Sequence, residues 1–323
     1  MTFLVLKQRL ARRRNKNATT LDSATDTRLG NFLNESHREL LSDIGMATLR
    51  DDVITVATVA STQRYALPEQ GVAKINRIWA STNPRRLKKR SLAWLRETDG
   101  NAASNTGTPD YWIPLSATQV AAQPANASEI FVKSTAAGAT NTCYIEGYIT
   151  GGYRRTASVT MTGVTAVSLS TLITTFIEIA KFYLSAVAGG TGTLHEDSGT
   201  GPELARIAIG DGAAKYLSFL LYLTPSAVET LSVDITRGIA DMANDTDEPL
   251  IPEDFHDLLL DMADLKELVK GDDPDRHTLV ERHRVKRRIE LREWLFCGGD
   301  AEDGGNAIAR GSNLGSWYPS GRW

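Results

Sequence analysis

The sequence predicts an α+β protein: N-terminal and C-terminal helices around a small antiparallel β region, with an all-β sandwich inserted ahead of the closing helices. Three observations carry that prediction. Apolar residues recur at three- and four-residue spacing before residue 45 and again after residue 252, the period of one helical face. Between those stretches apolar and polar residues alternate, the period of a half-buried strand. From 157 to 239 the β-like runs are short and separated by Gly, Ser, Thr and Asp, the spacing of a sandwich.

The opening helical pattern contains Leu29, Phe32, Leu33, His37, Leu40, Leu41 and Ile44, with Thr27 as the expected N-cap and Gly45 as the stop. From Val53 the period shortens. Val53, Thr55, Ala57 and Val59 alternate with polar neighbours, and a strand pair closes at Tyr65-Ala66-Leu67-Pro68. A further strand over 73–81 carries Ile75, Ile78 and Trp79 and reaches the turn signal Asn83-Pro84. The basic cluster Arg85, Arg86, Lys88, Lys89 and Arg90 follows, then a short helix over 92–97 and a polar loop. Strands are expected at 111–113, 129–133 and 143–148, antiparallel and without helix between them.

The inserted unit supplies runs at 158–161 with 166–170, then 176–186, 192–196, 204–210, 215–223 and 229–239. Pro252 then opens a helix striped with Phe255, Leu258, Leu259, Met262, Leu265 and Val269, and a charged helix spans 274–296. An extended tail ends in Trp317, Tyr318 and Trp323. The domain reading is therefore 1–156, 157–240, 241–296 and 297–323.

With 323 residues, 41% hydrophobic and 23% charged, the chain has enough apolar material for sizeable cores. No apolar run reaches the ~18 residues that cross a bilayer. The opening residues are apolar then basic, the reverse of a secretory signal, so synthesis in the cytoplasm and no membrane partner are expected. Two cysteines, Cys143 and Cys297, supply neither a disulfide framework nor a four-thiolate zinc site. No two of the five histidines stand at i, i+4. The glycine-rich stretches at 189–193 and 210–215 lack P-loop geometry and read as hairpin turns. Adjacent carboxylates such as Asp51 with Asp52, or Glu196 with Asp197, read as charged turns. No catalytic residue, metal ligand or cofactor is predicted.

Charge is segregated along the chain. Six Lys or Arg lie between residues 7 and 16, five between 85 and 90, and another group between 282 and 292. Residues 241–261 hold eight Asp or Glu and no Lys or Arg. A chain so patterned can meet a copy of itself head to tail, and such contacts close into rings where the rotation permits. Basic clusters also suit phosphates, although the net charge is −3 and no sequence-specific DNA-binding pattern is present.

Three stretches resemble the head-to-tail adaptor family of tailed bacteriophages. They are the opening helical pair, the strand ending Tyr65-Ala66-Leu67-Pro68, and Asp247-Glu248-Pro249-Leu250-Ile251-Pro252-Glu253-Asp254-Phe255, which is similar to the family's proline-bounded entry into its C-terminal helices. Thr108-Pro109-Asp110-Tyr111 resembles its turn into the second sheet. The likeness covers residues 25–155 and 240–296 and leaves out 157–239.

The resemblance implies a structural virion protein of the neck: a dodecameric ring beneath the portal protein, joined to a tail, stopper or nozzle protein, with dsDNA passing through its lumen. It implies portal docking by Trp317, Tyr318 and Trp323, because flexible chains with terminal aromatics gain area by ordering on a partner. It puts Asp247, Glu248, Glu253 and Asp254 at subunit contacts, and Arg85, Arg86, Lys88, Lys89 and Arg90 at a subunit contact or on the DNA channel. The inserted sandwich would face fibre or capsid proteins. The competing reading is a tail-associated cell-wall or carbohydrate-active or carbohydrate-binding protein that uses Glu196 or Asp197 in the β-rich insert. The insert's aromatics, Phe176, Phe182, Tyr183, Tyr216, Phe219 and Tyr222, read as core.

Overall fold

The computed structural model describes residues 1–13, 21–81, 85–100, 104–125, 127–169, 175–268 and 274–297. Helix makes up 30% and strand 33%, the α+β class expected. The chain divides into two units, Met1–Asp51 with Ile239–Trp323, and Asp52–Gly238.

The first unit is helical, built from α1 (Phe3–Arg13), α2 (Ser23–Ser42), α4 (His256–Leu268) and α5 (Pro274–Cys297); the short α3 (Leu92–Thr98) belongs to the second. Leu6 and Leu10 of α1, Leu29, Leu33, Leu40 and Leu41 of α2, Leu258, Leu259 and Ala263 of α4, and Leu291 of α5 form one buried core. The apolar spacing read from the sequence is the stripe each helix turns inward.

The caps differ from expectation. α2 is capped by Asp22, whose carboxylate accepts the Thr25 N–H at 2.9 Å, while Thr27 lies one turn inside the helix and donates to the Ser23 carbonyl. It ends at Asp43, whose carboxylate caps a 3-10 helix, Ile44–Arg50, through the Gly45 N–H. The apolar period begins only at Leu29, and the polar turn ahead of it carries no periodic signal.

The orphan donors that open α1 are met from the other end of the chain. Phe3 N–H donates to the Asp247 carbonyl at 2.7 Å and Leu4 N–H to that of Asp245 at 3.1 Å. Asn34 on α2 makes a two-way amide bond with the backbone of Met242, at 3.0 Å in each direction.

In the second unit a seven-stranded sheet runs in the order β1 (Asp51–Ala57), β16 (Thr230–Arg237), β3 (Val72–Ala80), β4 (Arg85–Lys89), β6 (Tyr111–Pro114), β14 (Ser218–Tyr222), β2 (Arg64–Ala66). A four-stranded sheet, β10 (Val167–Ser168), β7 (Ile130–Ser134), β12 (Gly192–Glu196), β13 (Glu203–Ile207), shares a second core with a three-stranded one, β11 (Glu178–Leu184), β8 (Thr142–Tyr148), β9 (Arg154–Thr160). β5 (Thr106–Gly107) and β15 (Thr224–Pro225) make a short parallel pair.

This topology draws the boundaries elsewhere than at 157 and 240. The sheets that share the second core include β7 and β8, which precede residue 157, while β14 and β16 from the supposed insert complete the large sheet. The physical reason is that alternation fixes the face each residue takes and leaves the choice of partner strand open. The pairing is also not wholly antiparallel. β4 and β6 run parallel because α3, capped by Ser91 at Trp94 N–H (3.1 Å), lies in the crossover between them.

Two glycines are required by geometry. Gly163 has φ +72° and would carry a Cβ 2.1 Å from the Ala137 carbonyl oxygen, and Gly210 turns the 210–215 segment at φ +88°. That segment is a turn, as its composition suggested.

Candidate functional site

The charged residues singled out from the sequence fall in both units, with different roles. In the helical unit, members of the acid block and of the last basic block are paired within the chain, in part with each other and in part with other residues. Asp257, Asp261 and Asp264 follow one another at four- and three-residue spacing on α4, the spacing of one helical face. Arg287 reaches Asp257 at 2.8 Å, His283 bonds Asp261, and Arg276 reaches Asp264 at 3.1 Å. Arg13 of α1 also reaches Asp261, at 2.7 Å. The Asp261 and Asp264 side chains are only 4% and 1% exposed, whereas Arg13 and Arg276 are each 32% exposed, so the carboxylates are interior and their partners reach them from the surface.

Arg288 and Arg292 converge on Asp43, the latter at 2.6 Å. Burial works against that carboxylate, yet hydrogen bonds from Arg288, the Gly45 N–H and Arg292 hold it at about 2. Lys7 is enclosed by Asp26 at 2.9 Å and Asp245 at 2.8 Å. Burial would lower its ammonium, and bonds to Asp245 and Asp26 outweigh that and raise it. Acid block and basic helix thus meet inside one chain at Arg287–Asp257 and His283–Asp261, while Arg288 and Arg292 are taken by Asp43 and Asp245 by Lys7.

Of the four acidic candidates, Asp247 is a turn builder. Its carboxylate accepts the Ala243 and Asn244 N–H groups at 2.7 and 2.8 Å. Glu253 lies 3.4 Å from the Met1 ammonium. Glu248 and Asp254 are exposed and have no cation within ion-pair distance among the described residues. Trp317, Tyr318 and Trp323 lie outside the described residues.

In the β unit the five-cation cluster splits. Arg85 bonds the Pro109 carbonyl at 2.5 Å and pairs with Asp110 at 3.5 Å, which secures the turn into β6. Arg86, Lys88, Lys89 and Arg90 are exposed. Lys89 Nζ sits 5.3 Å above the Trp112 ring, and Arg90 lies 5.4 Å from both Trp94 and Tyr111. β4 pairs with β3 only as far as Leu87 and then with β6 from Lys88. The strands diverge there, opening a notch of about 440 Å³ lined by Asn76, Arg77, Arg86, Lys88, Lys89 and Trp112. Arg77 and Trp112 belong to it through pairing alone, which the linear sequence did not signal.

The carboxylates of the competing enzymatic reading are structural. Glu196 is buried, accepting from Ser128 Oγ at 2.5 Å and from the Ala125 N–H. Asp197 occupies a left-handed turn at φ 60°. His195 is bonded at both ring nitrogens, to the Thr193 hydroxyl and the Gly201 carbonyl. Burial pushes the Cys143 thiol up, away from nucleophilic use. Among the described residues no group of three metal-ligating side chains comes together, and no helix is long and apolar enough to cross a membrane.

The stretches behind the resemblance are backbone organisers. Tyr65 donates its hydroxyl to the Thr62 carbonyl at 2.7 Å and accepts the Val59 N–H at 3.0 Å. The backbone of Asp110 donates to the Tyr222 carbonyl and accepts from Lys88 N–H, joining β14, β6 and β4. Pro249 and Ile251 are buried, and Ile251 joins the core that α2 and α4 share.

Comparison with known proteins bears first on class: the N-terminal part of the chain matches a family model in a way consistent with a phage head-to-tail adaptor. The matching model is that of the SU10 adaptor protein, over residues 1–148 of the 323. It spans α1, α2 and the strands through β8. A search of curated proteins finds no match.

Proposed function

We propose that the chain is a ring-forming head-to-tail adaptor at the neck of a tailed phage, a dodecamer beneath the portal that joins the capsid vertex to a tail, stopper or nozzle protein. Its lumen passes dsDNA, and it performs no catalysis. The match over residues 1–148 carries this reading. The backbone roles of Tyr65, Asp110 and Asp247 support it, because the same positions that carry the resemblance set the turns of the fold.

Subunit contacts use the carboxylates the chain leaves unpaired, Glu248 and Asp254, together with Glu253. The tail residues Trp317, Tyr318 and Trp323 dock on the portal, and deletion of residues 298–323 abolishes portal binding. The sheets around the second core offer a surface for fibre or capsid proteins. There Val187 and Ile209, 66% and 68% exposed, lie on turns tied together by Ala188 and Asp211.

Native mass measurement and negative-stain imaging of the purified protein, alone and mixed with a portal ring, test the reading. A ring of about twelve copies is expected, formed alone or on the portal. A monomer indifferent to the portal overturns it.

A further inference from the structure

Basic residues are spread over three blocks, and the chain's own carboxylates occupy most of the one on α5 and two members, Lys7 and Arg13, of the one that opens the chain. On α5, Arg276, Arg287, Arg288 and Arg292 are held by Asp264, Asp257 and Asp43, and on α1, Lys7 is enclosed by Asp26 and Asp245. The notch between β3 and β4 is different. Arg77, Arg86, Lys88 and Lys89 line it, and none of them has a carboxylate within ion-pair distance among the described residues. The carboxylate facing Arg77 in the strand register is Asp234, and it accepts a bond from Trp79 Nε1 at 3.3 Å.

We propose that this notch is a binding site for the phosphodiester backbone of duplex DNA. The inference deepens the adaptor reading and rests on it for the presence of DNA. An acidic protein partner would need an apolar centre to desolvate. The apolar groups here, Leu87 and Trp112, are each only 1% exposed beneath the cationic heads. What the notch presents outward is charge, and charge is what backbone contact with DNA requires.

The heads are also partly fixed. Lys89 is held over Trp112, and Arg90 at the notch's end over Trp94 and Tyr111. Alternate residues of a strand advance about 6.7 Å. That is wide enough for Arg86 and Lys88 to meet separate phosphates of one DNA strand, whose charges recur about every 3.4 Å of helix axis. Backbone contact of this kind carries no sequence readout and suits a surface past which DNA moves.

Fluorescence anisotropy of the full chain with a labelled duplex of random sequence tests the proposal. The variant Arg77→Gln/Arg86→Gln/Lys88→Gln is compared with Arg155→Gln/Arg282→Gln/Lys286→Gln, which removes the same charge elsewhere. The first should bind about tenfold more weakly, with a log-affinity against log-salt slope flattened by about 0.9 for each phosphate that is no longer neutralised. The second should stay within about twofold of wild type. A variant carrying Arg77→Lys and Arg86→Lys should bind like wild type, which separates the effect of charge from that of misfolding.

Equal losses in both triple variants, or none in the first, overturn the inference. So does displacement of the duplex by poly-glutamate as readily as by unlabelled DNA, which would make the notch a dock for acidic protein. A chain that binds DNA through the notch but ignores the portal keeps the site and removes the ring. A ring whose DNA binding is indifferent to the notch does the reverse.

Discussion

Two imidazoles in the helical unit are held neutral by their surroundings. Burial pushes His37 down to about 4 and lowers His256 as well. His37 Nε2 accepts the Leu250 N–H at 3.3 Å, and His256 Nε2 donates to the Ile251 carbonyl at 2.8 Å, so both grip the segment entering α4. An unfolded histidine takes up its proton near 6.5, whereas folded His37 resists until about 4. The unfolded chain therefore binds more protons in that window, and stability falls as pH drops through it, by about 3 kcal/mol at most for His37. Asp43 acts the same way lower down, losing its contribution as pH falls from 3.8 toward 2. Urea denaturation followed by helical circular dichroism should show the midpoint falling from neutrality toward pH 4. His37→Gln, which keeps an acceptor for Leu250, should flatten that slope while His256 retains part of it. In the β unit, Tyr65→Phe removes the partner of the Thr62 carbonyl and the Val59 N–H, and should cost about 1–3 kcal/mol by the same measurement.

Elements with a strong period were legible in the sequence, and those defined by a single polar contact were not. β12 lies at the expected 192–196, and α5 begins at Pro274, where Asp272, Asp273 and Pro274 signalled a break. α2 was found by its stripe but mis-capped at both ends, because Asp22 and Asp43 act through one carboxylate each. α5 is held differently from the other helices: among its described side chains the buried apolar one is Leu291, and its docking relies on Arg276, His283, Arg287, Arg288 and Arg292. The basic block was visible in the sequence, but its partners on α4 and at Asp43 lie in other elements, so the charges read as available to another copy. Arg288→Ala combined with Arg292→Ala leaves the 13%-exposed Asp43 carboxylate without a cation and should destabilise the helical unit by about 3 kcal/mol in urea titration. A loss under about 1 kcal/mol would mean that solvent, rather than the arginines, satisfies Asp43.

At the scale of the whole chain the α+β class was legible, and so was the order helix, sheet, helix. The division was not, since a strand's alternation does not say which strand it will join. Ile235 and Leu231 on β16 look the same in sequence whether their neighbour is β3 or a strand of a closed sandwich, and the register puts them against Ile75 and Ala80. A fragment of residues 52–238 should therefore melt cooperatively as a β protein, whereas residues 157–240 alone should not fold, because β14 and β16 leave their partners behind. Scanning calorimetry of the two fragments checks both outcomes. The helical unit has a different consequence, one of timing. Its α1 and α2 leave the ribosome ahead of α4, with Leu6, Leu10, Leu29 and Leu33 uncovered, and α4 follows only after residues 52–238 have been made. At ~5–20 residues per second that wait is ~10–40 s. Throughout it, the nascent chain shows an apolar helical pair that a chaperone can hold, and release falls due when the last two helices emerge.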